Sequence, residues 1–65
     1  MQILLNGDEL HTNAKNLTEL VRELKLEKRM IAIERNLEVV PKSEYDNTWL
    51  NESDRIELVH MIGGG

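Results

Sequence analysis

In Asn16-Leu17-Thr18-Glu19-Leu20-Val21-Arg22-Glu23-Leu24 the apolar residues fall at 17, 20, 21 and 24, and those spacings put all four on one stripe of an α-helix. Thr18, Glu19, Arg22, Glu23 and Lys25 then form its outer face. Asn16 suits the N-cap, because its side-chain oxygen can accept from a free N–H of the first turn. Glu19, three residues on, can reach back as in a capping box. A single amphipathic helix cannot cover its own stripe, so the flanking sequence must supply a second layer.

Upstream the period is two. Ile3 and Leu5 alternate around Leu4 in a strand from about Gln2 to Leu5, and Asn6-Gly7 tolerates the positive φ of a two-residue hairpin turn. Glu9-Leu10-His11-Thr12 alternates again, with Leu10 as the inward anchor. Downstream, Leu26 to Met30 is a charged connection and Ile31-Ala32-Ile33 is a short run rich in β-branched residues, read as a central strand. Arg35-Asn36-Leu37 reverses the chain into Val39-Val40, and Pro41, lacking an N–H, ends that strand. Lys42 to Asp54 has no sustained period and carries Asn47, Asn51, Ser53 and Asp54, which predicts a crossover loop. Tyr45, Trp49 and Leu50 are expected to fold back over one end of the core. The last strand, Arg55 to Ile62, puts Ile56, Leu58 and His60 on one face and Glu57, Val59 and Met61 on the other.

Five short strands and one helix predict an α+β chain of β-grasp architecture. In that architecture a mixed sheet carries the helix across one face, and the first and last strands lie side by side at its centre. The expected organisation is one domain over residues 1–62 followed by a flexible glycine tail, Gly63-Gly64-Gly65.

Composition narrows the function. The chain has 65 residues, with 8 Lys plus Arg against 12 Asp plus Glu for a net charge of −4, and neither Cys nor Phe. A domain this small buries only about 60% of the surface its unfolded chain exposes, which leaves little material for a deep catalytic cavity. Lack of cysteine removes disulfides, thiolate zinc sites, Fe–S ligands and thiol nucleophiles. The acidic balance argues against nucleic acid and toward a basic partner surface. No apolar run approaches the roughly 20 residues of a membrane span. MQILLNGDEL has no basic n-region or small-residue cleavage site, so a cytoplasmic, soluble chain is expected.

Ile62-Gly63-Gly64-Gly65 is the most informative feature for chemistry. Three residues without a Cβ make a stalk thin enough for a narrow channel, and a carboxylate at its tip suits insertion into a partner's active site and covalent activation there. A frayed end or an expression linker would also be rich in glycine. These glycines, however, follow directly on a closing strand with no Ser-rich spacer.

The segments MQILLNG, NLTELV (16–21), AIERNLEVVPKSEY (32–45) and DRIELVHMIGGG (54–65) resemble the ThiS family of thiamin-biosynthetic sulfur carriers along nearly the whole chain. The run into Val40-Pro41 and the glycine end are the most specific parts. The resemblance implies a ubiquitin-like carrier, not an enzyme, whose Gly65 is adenylated by an E1-like, ThiF-like adenylyltransferase using Mg-ATP. Sulfur from a donor protein then makes a thiocarboxylate, which delivers it to a ThiG-like thiazole synthase. It also implies that Gly63 and Gly64 thread into the partner, and that the chain itself binds no cofactor. A molybdopterin-type sulfur carrier shares the fold and the glycine end but is generally longer. A non-covalent ubiquitin-like interaction module would need no acyl chemistry.

The remaining candidates are weaker. His11 and His60 have no Cys or paired ligand at metal spacing, so no metal site is expected, although His60 lies near the tail and could touch a partner. Ser43 and Ser53 lack a neighbouring base. Val59 and Met61, on the face away from the helix, form a candidate docking patch, and Glu44, Asp46, Glu52, Asp54 and Glu57 could steer a basic partner.

Overall fold

The hairpin at the N-terminus forms as the Asn-Gly signal requires. In the computed structural model, which describes residues 1–61, β1 (Gln2–Leu5) pairs antiparallel with β2 (Asp8–His11) from Gln2 opposite His11 to Leu5 opposite Asp8. Asn6 at φ 50° and Gly7 at φ 87° supply the two positive angles of the turn. β2 begins one residue earlier than expected and stops before Thr12. The Thr12 hydroxyl is buried, donating to the Glu23 carboxylate at 2.9 Å and accepting from the Ala14 N–H at 3.0 Å.

Helix α1 (Leu17–Glu23) follows. Asn16 caps it, its side-chain oxygen accepting from the Glu19 N–H at 2.8 Å. Glu19 reaches one residue further back than a capping box would, to the Lys15 N–H at 2.9 Å. The helix stops where Lys25 takes a φ of 59°, a left-handed conformation that cannot continue it.

The chain then builds β3 (Ile31–Arg35), a turn with Asn36 and Leu37 at positive φ, and β4 (Glu38–Val40). The segment expected to be a plain crossover loop contains a 3-10 helix, Lys42–Asn47, started after Pro41. Tyr45 drops from it into the core, and the Thr48 hydroxyl bonds back to the Glu44 carbonyl at 2.7 Å to finish it. β5 (Arg55–His60) closes the sheet in the order β2-β1-β5-β3-β4. β1 and β5 run parallel, with Leu4 opposite Arg55 and Leu5 opposite Ile56, while the other three pairs are antiparallel. First and last strands are therefore adjacent inside a mixed five-stranded sheet, the β-grasp arrangement.

One face of this sheet meets the helix. Ile3, Ile33 and Ile56 from three strands and Leu17 and Leu20 from α1 are almost fully buried, with Val21, Tyr45 and Leu50 completing the core. Leu50 and Tyr45 cover the end of the core as expected, but Trp49 does not: it is 59% exposed. Its backbone bridges to Asn16, and on an extended segment successive side chains face opposite ways, so seating Leu50 inward turns Trp49 out. A helix of seven residues owes its stability to this packing rather than to its own hydrogen bonds. Leu20→Ala is therefore expected to lower the stability of the whole domain by about 2–5 kcal/mol, measured by urea denaturation, with loss of helix and sheet signals in one transition.

Candidate functional site

The last strand carries the chain toward its glycines, and its register is fixed at both ends. At its start the buried Asp54 carboxylate accepts from the Asn51 N–H at 2.8 Å, the Asn36 side-chain amide at 3.1 Å and Arg35 Nε at 3.0 Å. Asn36 also exchanges bonds with the Arg55 backbone, donating its N–H to the carbonyl at 2.8 Å and accepting from the Arg55 N–H through Oδ1 at 2.9 Å. On the other edge Asn6 accepts from the Leu58 N–H at 2.7 Å and donates its own N–H to the Ile56 carbonyl at 2.9 Å. Beyond the strand the Met61 N–H donates to the Met30 carbonyl at 2.8 Å.

Asp54 is thus not one of the surface acids it resembles in the sequence; 6% of it is exposed. Burial by itself would raise its pKa, but the Asn51 N–H, the Asn36 amide and the Arg35 guanidinium together outweigh that and hold the carboxyl below its ordinary value. Glu44, Asp46 and Glu52 are exposed, and Glu57 is half-buried. Glu57 lies directly opposite Glu34 on the outer sheet face, a like-charged pair that a cation from outside would relieve.

His60 pairs with Ile31 at the end of β5 and is exposed, beyond the reach of the core despite sharing the face of Ile56 and Leu58. Val59 is 53% exposed beside Ala32 on the outer face. Met61, expected on the same face, lies past the end of the strand and lines a cavity on the helix side. His11 is an exposed residue of β2, and among the described residues no group of three His, Asp or Glu side chains could hold a metal. Gly63, Gly64 and Gly65, together with Ile62 at the expected strand end, lie outside the described residues.

The cavity at the foot of β5 encloses about 450 Å³, within the range of about 300–1,000 Å³ typical of ligand sites. Val21, Leu26, Ile31, Tyr45 and Met61 give it apolar walls, and Arg22, Arg29 and Lys42 stand around it with Glu27 and Asp46. Burial pushes the Tyr45 phenol above its ordinary pKa, so it stays neutral. Sequence reasoning missed this cavity because its walls come from the helix, the following connection, the start of β3 and the 3-10 helix. The one available signal is Leu26 and Met30 spaced by four among charges, in a stretch that reads simply as a linker.

The model of the ThiS family matches residues 3–65. The sulfur carrier protein ThiS of Bacillus subtilis is 33% identical over 94% of this chain and 96% of its own. The chain belongs to the ThiS family. A crystal structure of a thiamine biosynthesis protein (ThiS) from Geobacter metallireducens superposes with a TM-score of 0.86 over the whole of both chains at 29% identity. A thiazole synthase of Paramagnetospirillum magneticum is 44% identical across all of this chain, which spans only 20% of that relative's length. ThiS relatedness thus extends to segments of much larger proteins, and the β-grasp architecture is that of the family.

The Asp54 cluster sets a pH dependence. Its carboxyl titrates lower in the folded chain than the unfolded value of about 3.9, so its contribution is present above that value and is lost as pH falls through the folded pKa. Asp54→Asn is expected to cost about 1.5–3 kcal/mol at pH 7. Urea titrations at pH 7 and pH 3 should show a smaller acid loss in the variant than in the parent chain.

Proposed function

We propose that this ThiS-family sulfur carrier receives its sulfur at the carboxylate of Gly65. The Gly65 carboxylate attacks the α-phosphorus of ATP in an E1-like adenylyltransferase, pyrophosphate leaves, and an acyl adenylate forms. The terminal sulfur of a donor protein's persulfide then attacks the carbonyl and the C–O bond to AMP breaks, giving an acyl disulfide; a second thiol cleaves its S–S bond by forming a disulfide with the donor sulfur, and the thiocarboxylate is released. A bare carboxylate resists nucleophiles at neutral pH, and the mixed anhydride removes that resistance. Nucleotide and Mg²⁺ belong to the partner; this chain contributes the acyl group and a slender stalk, Gly63-Gly64, that reaches it.

The observation that carries this reading is the family match running through residue 65, so that the glycines fall within the matched segment. Four side-chain and backbone locks on β5 support it, because a carrier threaded into an active site needs a firm base for its tail. Thiazole synthase is the recipient best supported, since in P. magneticum a protein of that name contains a segment 44% identical to this chain. Val59, His60 and Met61, exposed near the tail, are the residues that would meet a partner first. Activation by ATP fits a cytoplasmic carrier, and no helix among the described residues is long and apolar enough to cross a membrane.

Incubation with the adenylyltransferase, Mg-ATP and a sulfur source should raise the intact mass by the exchange of one oxygen for sulfur, mapped to Gly65. An unmodified mass, under conditions where a known carrier is converted, would overturn the proposal. Deleting Gly64 and Gly65 should abolish the modification and leave the unfolding midpoint in place. The isolated chain should show no turnover.

A further inference from the structure

The two edges of the sheet, β2 and β4, each have a strand neighbour on one side only among the described residues, and they are not equivalent. Just past the first hairpin's open end, the Met1 amine donates to the Thr12 carbonyl at 3.0 Å and the Thr12 N–H to the Met1 carbonyl at 2.9 Å, which sets the phase of that ladder. Alternation then makes Ile3–Leu10 and Leu5–Asp8 the pairs that exchange main-chain bonds, and turns the N–H and C=O groups of Glu9 and His11 away from β1. The Leu4 N–H, opposite Glu9, accordingly points the other way, to the Asp54 carbonyl at 2.9 Å. On β4 the two-residue turn at Asn36 and Leu37 makes Arg35–Glu38 an exchanging pair, so the outward residue is Val39. The next outward position there is Pro41, which has no N–H to give, so that edge is blunted. The β2 edge is open.

We infer that two copies of this chain pair antiparallel through their β2 edges, about a two-fold axis at Leu10, with Glu9 of each opposite His11 of the other. In that register each Glu9–His11 pair exchanges two main-chain bonds, so every outward group of Glu9 and His11 finds a partner. The side chains of both residues are exposed and lie on the sheet face away from the helix, where a carboxylate meets an imidazole N–H across the junction on either side of the axis. Leu10, half-buried on the helix face, meets the second copy's Leu10 at the axis, in a pair that does not exchange bonds and whose side chains therefore approach closely. The neighbouring registers are worse. One sets Glu9 against Glu9, and the other sets His11 against His11 and Leu10 against Thr12, whose hydroxyl is already engaged inside its own copy. Charge complementarity thus selects a second copy of this chain, and one register of it. Two chains of net charge −4 repel, and a contact between four-residue strands is small, so the dimer is a weak one. The inference is independent of the sulfur chemistry.

Sedimentation equilibrium of the chain at pH 7, from about 20 μM to about 1 mM, should show the apparent mass rising toward that of two chains. His11→Glu sets carboxylate against carboxylate at both pairs of the dimer at once, and should weaken association at least about tenfold. Adding Glu9→Lys to His11→Glu restores opposite charges across the junction and should return association to near the parent level. Adding Glu27→Lys to His11→Glu instead makes the same change of net charge at an exposed site away from β2, and should not restore it. In a mixture of isotope-labelled and unlabelled chains, intermolecular contacts should join Leu10 to Leu10. A chain that stays monomeric at about 1 mM, equal association of the two double variants, or intermolecular contacts at another surface would overturn the inference. The altered side chains are exposed, and unfolding midpoints confirm that each variant is folded.

Discussion

The parallel pairing of β1 with β5 is the constraint on which the rest of the structure depends. Parallel neighbours cannot be joined by a tight turn, so a long connection must intervene, and here the helix, the second hairpin and the 3-10 helix are all parts of it. Only two residue pairs define the parallel ladder, Leu4 with Arg55 and Leu5 with Ile56. Side chains extend it: Asn6 bonds along one side of β5, and Asn36 and Asp54 hold its start. The three residues come from three different loops: Asn6 takes the Leu58 N–H beyond the last parallel pair, Asn36 pairs with the Arg55 backbone on the opposite edge, and Asp54 holds the Asn51 N–H of the turn before the strand.

Much of this was legible because the local signals agree with the global arrangement. The spacing of Leu17, Leu20 and Val21, the Asn16 cap and the Asn6-Gly7 turn each depend on a few neighbouring residues, and each appears where periodicity puts it. The failures are nonlocal. Asp54 sits in a turn-rich, acidic stretch, and nothing in that stretch reveals that Arg35 and Asn36 will close over it. Trp49 looks like the natural anchor of its loop by size, yet the alternation imposed by pairing with Asn16 gives the inner position to Leu50. Thr12 reads as the end of a strand, but its hydroxyl bridges Glu23 to the Ala14 N–H and becomes core.

The candidate site divides the same way. The glycine end and the family resemblance are contiguous in sequence and could be read directly. Alternation continued past His60 puts Met61 on the face of Val59, but the strand ends at His60; the Met61 N–H bonds to the Met30 carbonyl and its side chain lines the cavity beside the helix. Opposite sides of the sheet thereby acquire opposite character. The outer face carries Glu34 against Glu57 beside exposed Val59, whereas the helix side gathers cations around an apolar hollow.

The central position of β5 also has a mechanical meaning. A pull on the chain beyond Met61 acts along the strand, and the hydrogen bonds to β1 and β3 run across it, so the load falls on both ladders together rather than on one bond at a time. An edge strand pulled from its end would peel. This one must shear, with its two neighbours and the Asn6 and Asp54 attachments resisting at once. Tension applied at the end of β5 is therefore borne in the strand's stiffest direction, leaving the helix, which has no direct share of the load, undisturbed.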